Sequence, residues 1–171
     1  AALSDFEQVQ NLDSTYPFVH YNLGLSYLNL KQYSDATRSL RKAIELKPFA
    51  YAYYNLGRAL QESGEYRKAL VEYDNVLKLD PEDAETYYYR GFVNLKLGDY
   101  EKAVKDYERG LVLNPTYVKQ QGVHAYFNRG SAFLALNDYQ SAIKDFDRSI
   151  ELYPNRSDTY LKRGLSRAQL R

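Results

Sequence analysis

The sequence predicts an all-α fold of repeated helix–turn–helix units, about ten helices in total, and three observations carry that expectation. Glycines inside helical patterns fall at Gly24, Gly57, Gly91, Gly130 and Gly164. Twelve residues after each of the first four comes an alanine (Ala36, Ala69, Ala103, Ala142), and twelve further a proline (Pro48, Pro81, Pro115, Pro154). Apolar or small residues also recur at three- and four-residue steps, as in Ala103, Tyr107, Gly110 and Leu113, with Ala142, Phe146, Ser149 and Leu152 as counterparts, while strand alternation is nowhere sustained.

Each unit reads as two amphipathic helices with its own punctuation. Gly64, Gly98 and Asn137 are suited to the left-handed residue that ends a first helix, and Asp99 and Asp138 to the N-cap of a second. The proline then stops the second helix. A mid-helix glycine costs about 1 kcal/mol relative to alanine. Five at one repeated place therefore imply a close backbone approach, and the alanine twelve positions on is the expected partner. Spacing inside the units never slips, so length variation is confined to the connectors, where loops absorb it.

A unit of roughly 34 residues with "YNLG", "YYNLG", "YYYRG" or "YFNRG" in its first helix, then alanine, aromatic and closing proline, resembles the tetratricopeptide repeat. The resemblance covers nearly the whole chain and implies a right-handed α-solenoid. Residues 1–14 read as the second helix of a truncated repeat, because Ala2, Phe6, Val9 and Leu12 reproduce the spacing of Ala36, Leu40, Ala43 and Leu46. Four full repeats follow at 17–49, 50–83, 84–117 and 123–156, with 118–122 as an inserted connector. Residues 157–171 read as a capping helix or the first helix of another truncated repeat. Cuts inside repeats and the absence of methionine lead us to expect a piece of a longer array.

Helical phase divides each first helix into two stripes. Residues four before and three after the glycine are expected in the core, which assigns His20, Tyr53, Tyr87, Tyr126 and Tyr160 to packing. Asn94, where Tyr27, Leu60 and Phe133 stand in other repeats, is expected to weaken its contact. The other stripe, which the resemblance places on a concave groove, supplies the candidate binding residues Tyr21, Asn22, Tyr51, Tyr54, Asn55, Arg58, Glu85, Tyr88, Tyr89, Phe92, Phe127 and Asn128. Exposed rings bury much area at little entropic cost, and amides pair with the main chain of an extended ligand. The resemblance implies such a role for the asparagines. It argues against the carboxylate clamp of chaperone-binding members, since Tyr21 and Leu25 occupy the corresponding first-helix places and Glu85 is acidic. Arginine precedes the glycine at Arg90 and Arg129, with aspartate sixteen residues later, so ion pairs to Asp106 and Asp145 are expected between paired helices.

Several chemistries are disfavoured. A formal charge of +1 gives no global field for nucleic acid or an anionic membrane surface, and no apolar run is long enough to span a bilayer. Without cysteine, thiolate chemistry and cysteine metal sites are excluded. His20 and His124 lack metal-ligand spacing, and no phosphate-binding glycine loop lies between a strand and a helix. The expectation is a soluble chain, compartment open but leaning cytoplasmic, with no cofactor, metal or catalytic residues. It is a non-enzymatic scaffold taking a protein or peptide ligand in its groove. Self-association through the terminal helices and a role as the substrate-recruiting arm of a larger enzyme are the alternatives.

Overall fold

Proline closes each second helix two residues past its last helical residue, because the residue before a proline is pushed out of helical geometry. In the computed structural model, which describes residues 2–116 and 124–170, those preceding residues include Lys47 at φ −155° and Asp80 at φ −137°. Ten helices and no strand are present among the described residues: α1 (Ala2–Leu12), α2 (Pro17–Asn29), α3 (Tyr33–Leu46), α4 (Ala50–Glu62), α5 (Tyr66–Leu79), α6 (Ala84–Leu97), α7 (Tyr100–Leu113), α8 (Ala125–Ala135), α9 (Tyr139–Leu152) and α10 (Ser157–Ala168). The expected connector at 118–122 lies outside the described residues.

Two units divide the chain, unit 1 up to Glu82 and unit 2 from Asp83. In unit 1, α2 pairs with α3 and α4 with α5, while α1 packs on α2 and α3 on α4. His20 of α2 ties that helix to the α1–α2 turn, its Nε2 lying 2.8 Å from the Ser14 carbonyl. In unit 2, α6 pairs with α7 and α8 with α9, while α7 packs on α8 and α9 on α10.

The turns follow the sequence with one addition and one correction. Gly64 (φ 82°), Gly98 (φ 83°) and Asn137 (φ 62°) are left-handed as expected, and Lys31 (φ 58°) takes the same conformation without a glycine. Asp138 caps α9 by accepting from the Ser141 N–H at 3.1 Å. Asp99 makes no capping bond, because its carboxylate is held by Lys102 at 3.0 Å. Asp83 caps α6 instead, accepting from the Glu85 and Thr86 N–H groups.

The glycines do mark close helix contacts, but their partner is the large residue sixteen positions on rather than the alanine twelve on. A Cβ on Gly24 would meet Leu40, on Gly57 Tyr73, on Gly91 Tyr107 and on Gly130 Phe146. Those four side chains are fully buried, so each second helix drives one bulky group into the notch left by a missing Cβ. The alanines are buried as well and keep the helices close.

The core phase also shifts by one residue. Val19, Ala52, Thr86, Ala125 and Thr159, five before each glycine, are all buried, and Ala59, Val93, Ala132 and Ser166 lie two turns further along the same faces. His20 is buried as expected, but Tyr53, Tyr87 and Tyr126 are only half-buried and Tyr160 is 43% exposed. Three of these tyrosines support arginines instead: Arg90 lies 5.3 Å from the Tyr87 ring centre, Arg129 5.8 Å from Tyr126 and Arg163 5.3 Å from Tyr160.

Above those rings the guanidinium groups reach the second helices, as the sixteen-residue spacing predicts. Arg90 donates from Nε and Nη2 to Asp106, the shortest bond being 2.6 Å, and Arg129 donates likewise to Asp145 at 2.7 and 2.8 Å. Asn94 is not a weakened apolar contact. Its Nδ2 donates to Asp106 Oδ2 at 2.8 Å, giving the buried carboxylate a second neighbour, while its Oδ1 has no partner. In the last helix the direction reverses, Arg163 of α10 reaching back to Asp147 of α9 at 2.6 Å.

Candidate functional site

The stripe expected to face a groove has members in both units, and each unit has its own cleft. In unit 1 the first-helix residues Tyr21, Tyr51, Tyr54, Asn55 and Arg58 come from α2 and α4. Tyr51 is 72% exposed and Asn22 half-buried. Tyr21 stands edge-on to Phe49, with ring centres 5.2 Å apart, and Phe18 lies 5.6 Å from the same ring, so the entry to α4 is an aromatic cluster. Burial pushes the Tyr21 phenol upward from its ordinary pKa, with nearby Tyr51 adding to the effect.

Asn55 differs from its expected role. It is 5% exposed, and its amide donates to the Tyr51 carbonyl at 2.8 Å and the Tyr21 hydroxyl at 3.3 Å. The donor expected to meet a ligand is spent on holding two aromatic residues in place. Asn55 and Arg58 nevertheless line a cleft of about 440 Å³, together with Leu25, Leu28 and Glu62. Arg58 extends over the Tyr54 ring at 5.8 Å.

In unit 2 the expected stripe again splits. Glu85 sits in the first turn of α6, and Tyr89 is half-buried. Tyr88 is a core residue, 2% exposed, with its ring against Gly110 and its hydroxyl donating to the Asn114 carbonyl at 3.0 Å. Burial pushes its phenol far above the ordinary tyrosine range. The cause was readable: Gly110 stands where the other repeats carry Ala43, Val76 and Ser149, and the missing side chain opens a slot that Tyr88 fills.

The remaining residues of that stripe converge. Phe92 of α6, Phe127 and Asn128 of α8 and Lys162 of α10 line a cleft of about 460 Å³. Phe127 is largely covered, packed against Phe146 at 6.1 Å and beneath the Arg156 guanidinium at 3.6 Å. Two cleft lysines were not among the expected site residues. Lys96 stands 5.2 Å from the Phe92 ring centre and Lys162 5.5 Å from that of Phe127. Lys96 lies four residues after Phe92, so helical spacing was the signal that placed it on the same face. Ser131, also in the lining, donates its hydroxyl to the Phe127 carbonyl at 2.8 Å.

Behind this cleft a second cavity, about 510 Å³, is lined by His124, Tyr153 and Arg156. Burial lowers the His124 pKa, and the positive charge of Arg156 lowers it further. No group of three histidine, aspartate or glutamate residues placed to hold a metal ion is present among the described residues, and none of their helices is long and apolar enough to cross a membrane.

Known families match this arrangement. Models described as tetratricopeptide repeat match residues 17–49, 84–117 and 123–156, and one described as TPR repeat matches 57–98. The chain belongs to the tetratricopeptide repeat family, an all-α solenoid fold. Among curated proteins it is similar to the BBSome complex member BBS4 of Bos taurus, 28% identical over 85 residues, covering 50% of this chain and 16% of that protein. It is also similar to the BBS4 homolog of Drosophila melanogaster, 32% identical over 91 residues, covering 53% and 19%. The match thus spans less than a fifth of either relative.

Among solved structures, a MamA protein superposes with a TM-score of 0.80 at 26% identity, covering 92% of this chain and 84% of its own. YrrB, described as a TPR protein with an unusual peptide-binding site, superposes with a TM-score of 0.80 at 19% identity, covering 92% and 79%, a likeness of fold alone.

Proposed function

We propose that the chain is a non-enzymatic interaction scaffold whose first helices hold an extended peptide or helix of a partner protein. The observation that carries this reading is the unit 2 cleft, where Phe92 and Phe127 meet the Asn128 amide in an open space of about 460 Å³. Rings supply contact area with little entropy to lose, and the Asn128 amide, which also interacts with the buried Tyr107 hydroxyl, has further hydrogen-bonding capacity for main chain. The lining consists of aromatic, aliphatic, amide, ammonium and hydroxyl groups, and its serine, Ser131, donates to a carbonyl rather than to a base. The reading agrees with the peptide-binding site named for YrrB and the complex membership named for BBS4.

The test is a double substitution, Phe92→Ala with Asn128→Ala, measured by fluorescence anisotropy against peptides that bind the unaltered chain. Affinity is expected to fall by tenfold or more, about 1.4 kcal/mol, with the helical circular dichroism retained. Binding that survives the double substitution rules this cleft out.

A second reading, self-association through terminal helices, is favoured by α10. Gly164 has nothing within 4 Å of its Cβ position, and Leu161 and Leu165 beside it are 63% and 52% exposed. Sedimentation equilibrium is expected to give a mass that rises with concentration and returns to the monomer value in Leu161→Glu/Leu165→Glu. A monomer mass at every concentration removes this reading.

A further inference from the structure

We infer that the unit 2 cleft selects an acidic–apolar–acidic segment: a large apolar side chain for the Phe92–Phe127 floor, flanked by aspartate or glutamate side chains that meet Lys96 and Lys162. This rests on the peptide-binding reading and adds the chemistry of the ligand. Three features of the cleft carry it.

The first is charge without compensation. Lys96 and Lys162 both line the cleft, no carboxylate does, and neither lysine is ion-paired among the described residues. Among the acidic groups, Asp106 accepts from Arg90 and Asn94, Asp145 from Arg129, Asp147 from Arg163 and Asp99 from Lys102, while Asp158, one turn before Lys162 on α10, makes no ion pair with it among the described residues. Glu85 shares α6 with Lys96 but stands eleven residues earlier, roughly 16 Å of helical rise away.

The second is local dielectric. Each ammonium lies over an aromatic face, at 5.2 and 5.5 Å, so one side of each cation is turned to hydrocarbon rather than water. A charge hydrated on one side only interacts more strongly with an anion arriving from the open side.

The third is geometry. The lysines belong to α6 and α10, and α8, which contacts both helices, carries Phe127 and Asn128 between them. Neighbouring helix axes lie about 8–10 Å apart, so the two lysine-bearing helices flank the cleft at a spacing that an extended chain rising about 3.3 Å per residue crosses in roughly five or six residues. Two cations so separated fit two side-chain carboxylates of a chain that passes through, rather than one terminal carboxylate. Two lysines on a chain of net charge +1 also fall short of the run of cations that a nucleic acid backbone requires.

The experiment uses two pools of labelled decapeptides, acetylated and amidated so that no terminal charge remains. One pool has glutamate at the third and eighth positions around central leucine or phenylalanine, with other positions varied; the other has glutamine in place of glutamate. At low salt the glutamate pool is expected to bind at least tenfold more tightly than the glutamine pool. That margin should collapse at about 1 M salt, where the screening length is about 3 Å. It should also collapse in Lys96→Gln/Lys162→Gln, whose melting temperature serves as the folding control. Equal binding of the two pools, or a preference that persists in the lysine variant, overturns the inference. If both pools bind equally and Phe92→Ala/Asn128→Ala abolishes them, the cleft is a peptide site of another specificity. If neither pool binds, the peptide-binding reading falls with the inference.

Discussion

Replacing Asp106 with alanine is expected to cost about 3 kcal/mol of stability, since removing one partner of a buried ion pair strands the other. The Asp106 side chain is 6% exposed and that of Arg90 24%, so the guanidinium left behind regains only part of its hydration. The cost therefore falls at the lower end of the usual range for such losses. Asn94 makes the deletion worse, because its Nδ2 loses the acceptor that justified burying an amide. Urea unfolding followed by circular dichroism measures the difference. The companion variant removes all three polar groups, as Arg90→Leu/Asn94→Leu/Asp106→Leu, and should recover most of the loss, because well-packed apolar side chains often match a buried ion pair. A single variant as stable as the original chain would show that the pair is solvated and of little weight.

Substituting Gly57 by alanine should give the next largest effect, and the same change at Gly164 should have the opposite sign. The new Cβ at Gly57 would lie 2.7 Å from Tyr73 Cε1. Tyr73 cannot swing aside, because it is fully buried and its hydroxyl donates to Gln61 Oε1 at 3.0 Å. Overpacking of this kind costs about 1–3 kcal/mol, against which alanine returns about 1 kcal/mol of helix propensity. A net loss of up to about 2 kcal/mol is expected at Gly57. At Gly164 nothing lies within 4 Å, so only the propensity gain remains, up to about 1 kcal/mol. Thermal melts of the two variants should bracket that of the original chain. If Gly57→Ala melts at or above Gly164→Ala, the notch has no steric role.

That contrast bears on what a reader of the sequence could see. The repeat was legible because small residues where paired helices meet and a proline that ends each second helix recur at fixed spacing, and the arginine–aspartate pairs because two helices joined by a short turn bring positions sixteen apart together. The lining of the two clefts was legible only in outline. Helical phase places a residue on a face, but whether it is exposed depends on what packs opposite. Tyr88 was drawn inward by the slot at Gly110, and Asn55 by its bonds to Tyr51 and Tyr21. A phase error of one residue, about 100° round the helix, has the same origin: Tyr87 and Tyr126 are expected in the core, but the buried stripe runs through Thr86 and Ala125. Of the cleft lysines, Lys96 falls beyond a stripe defined from the glycine alone, whereas Lys162 lies within it, at the place that Asn22, Asn55 and Asn128 hold in other repeats.

The sixteen-residue reach from each glycine to its bulky partner also bears on how the chain folds. Each such contact closes a short loop, whose entropy cost grows only slowly with length, and a topology dominated by near neighbours along the chain belongs to the low-contact-order class that folds fast. No helix pair must await a distant segment before it gains its main stabilising contact. Nucleation at α4–α5 and at α8–α9 therefore becomes separable, and damage at one notch slows the local event without halting the other.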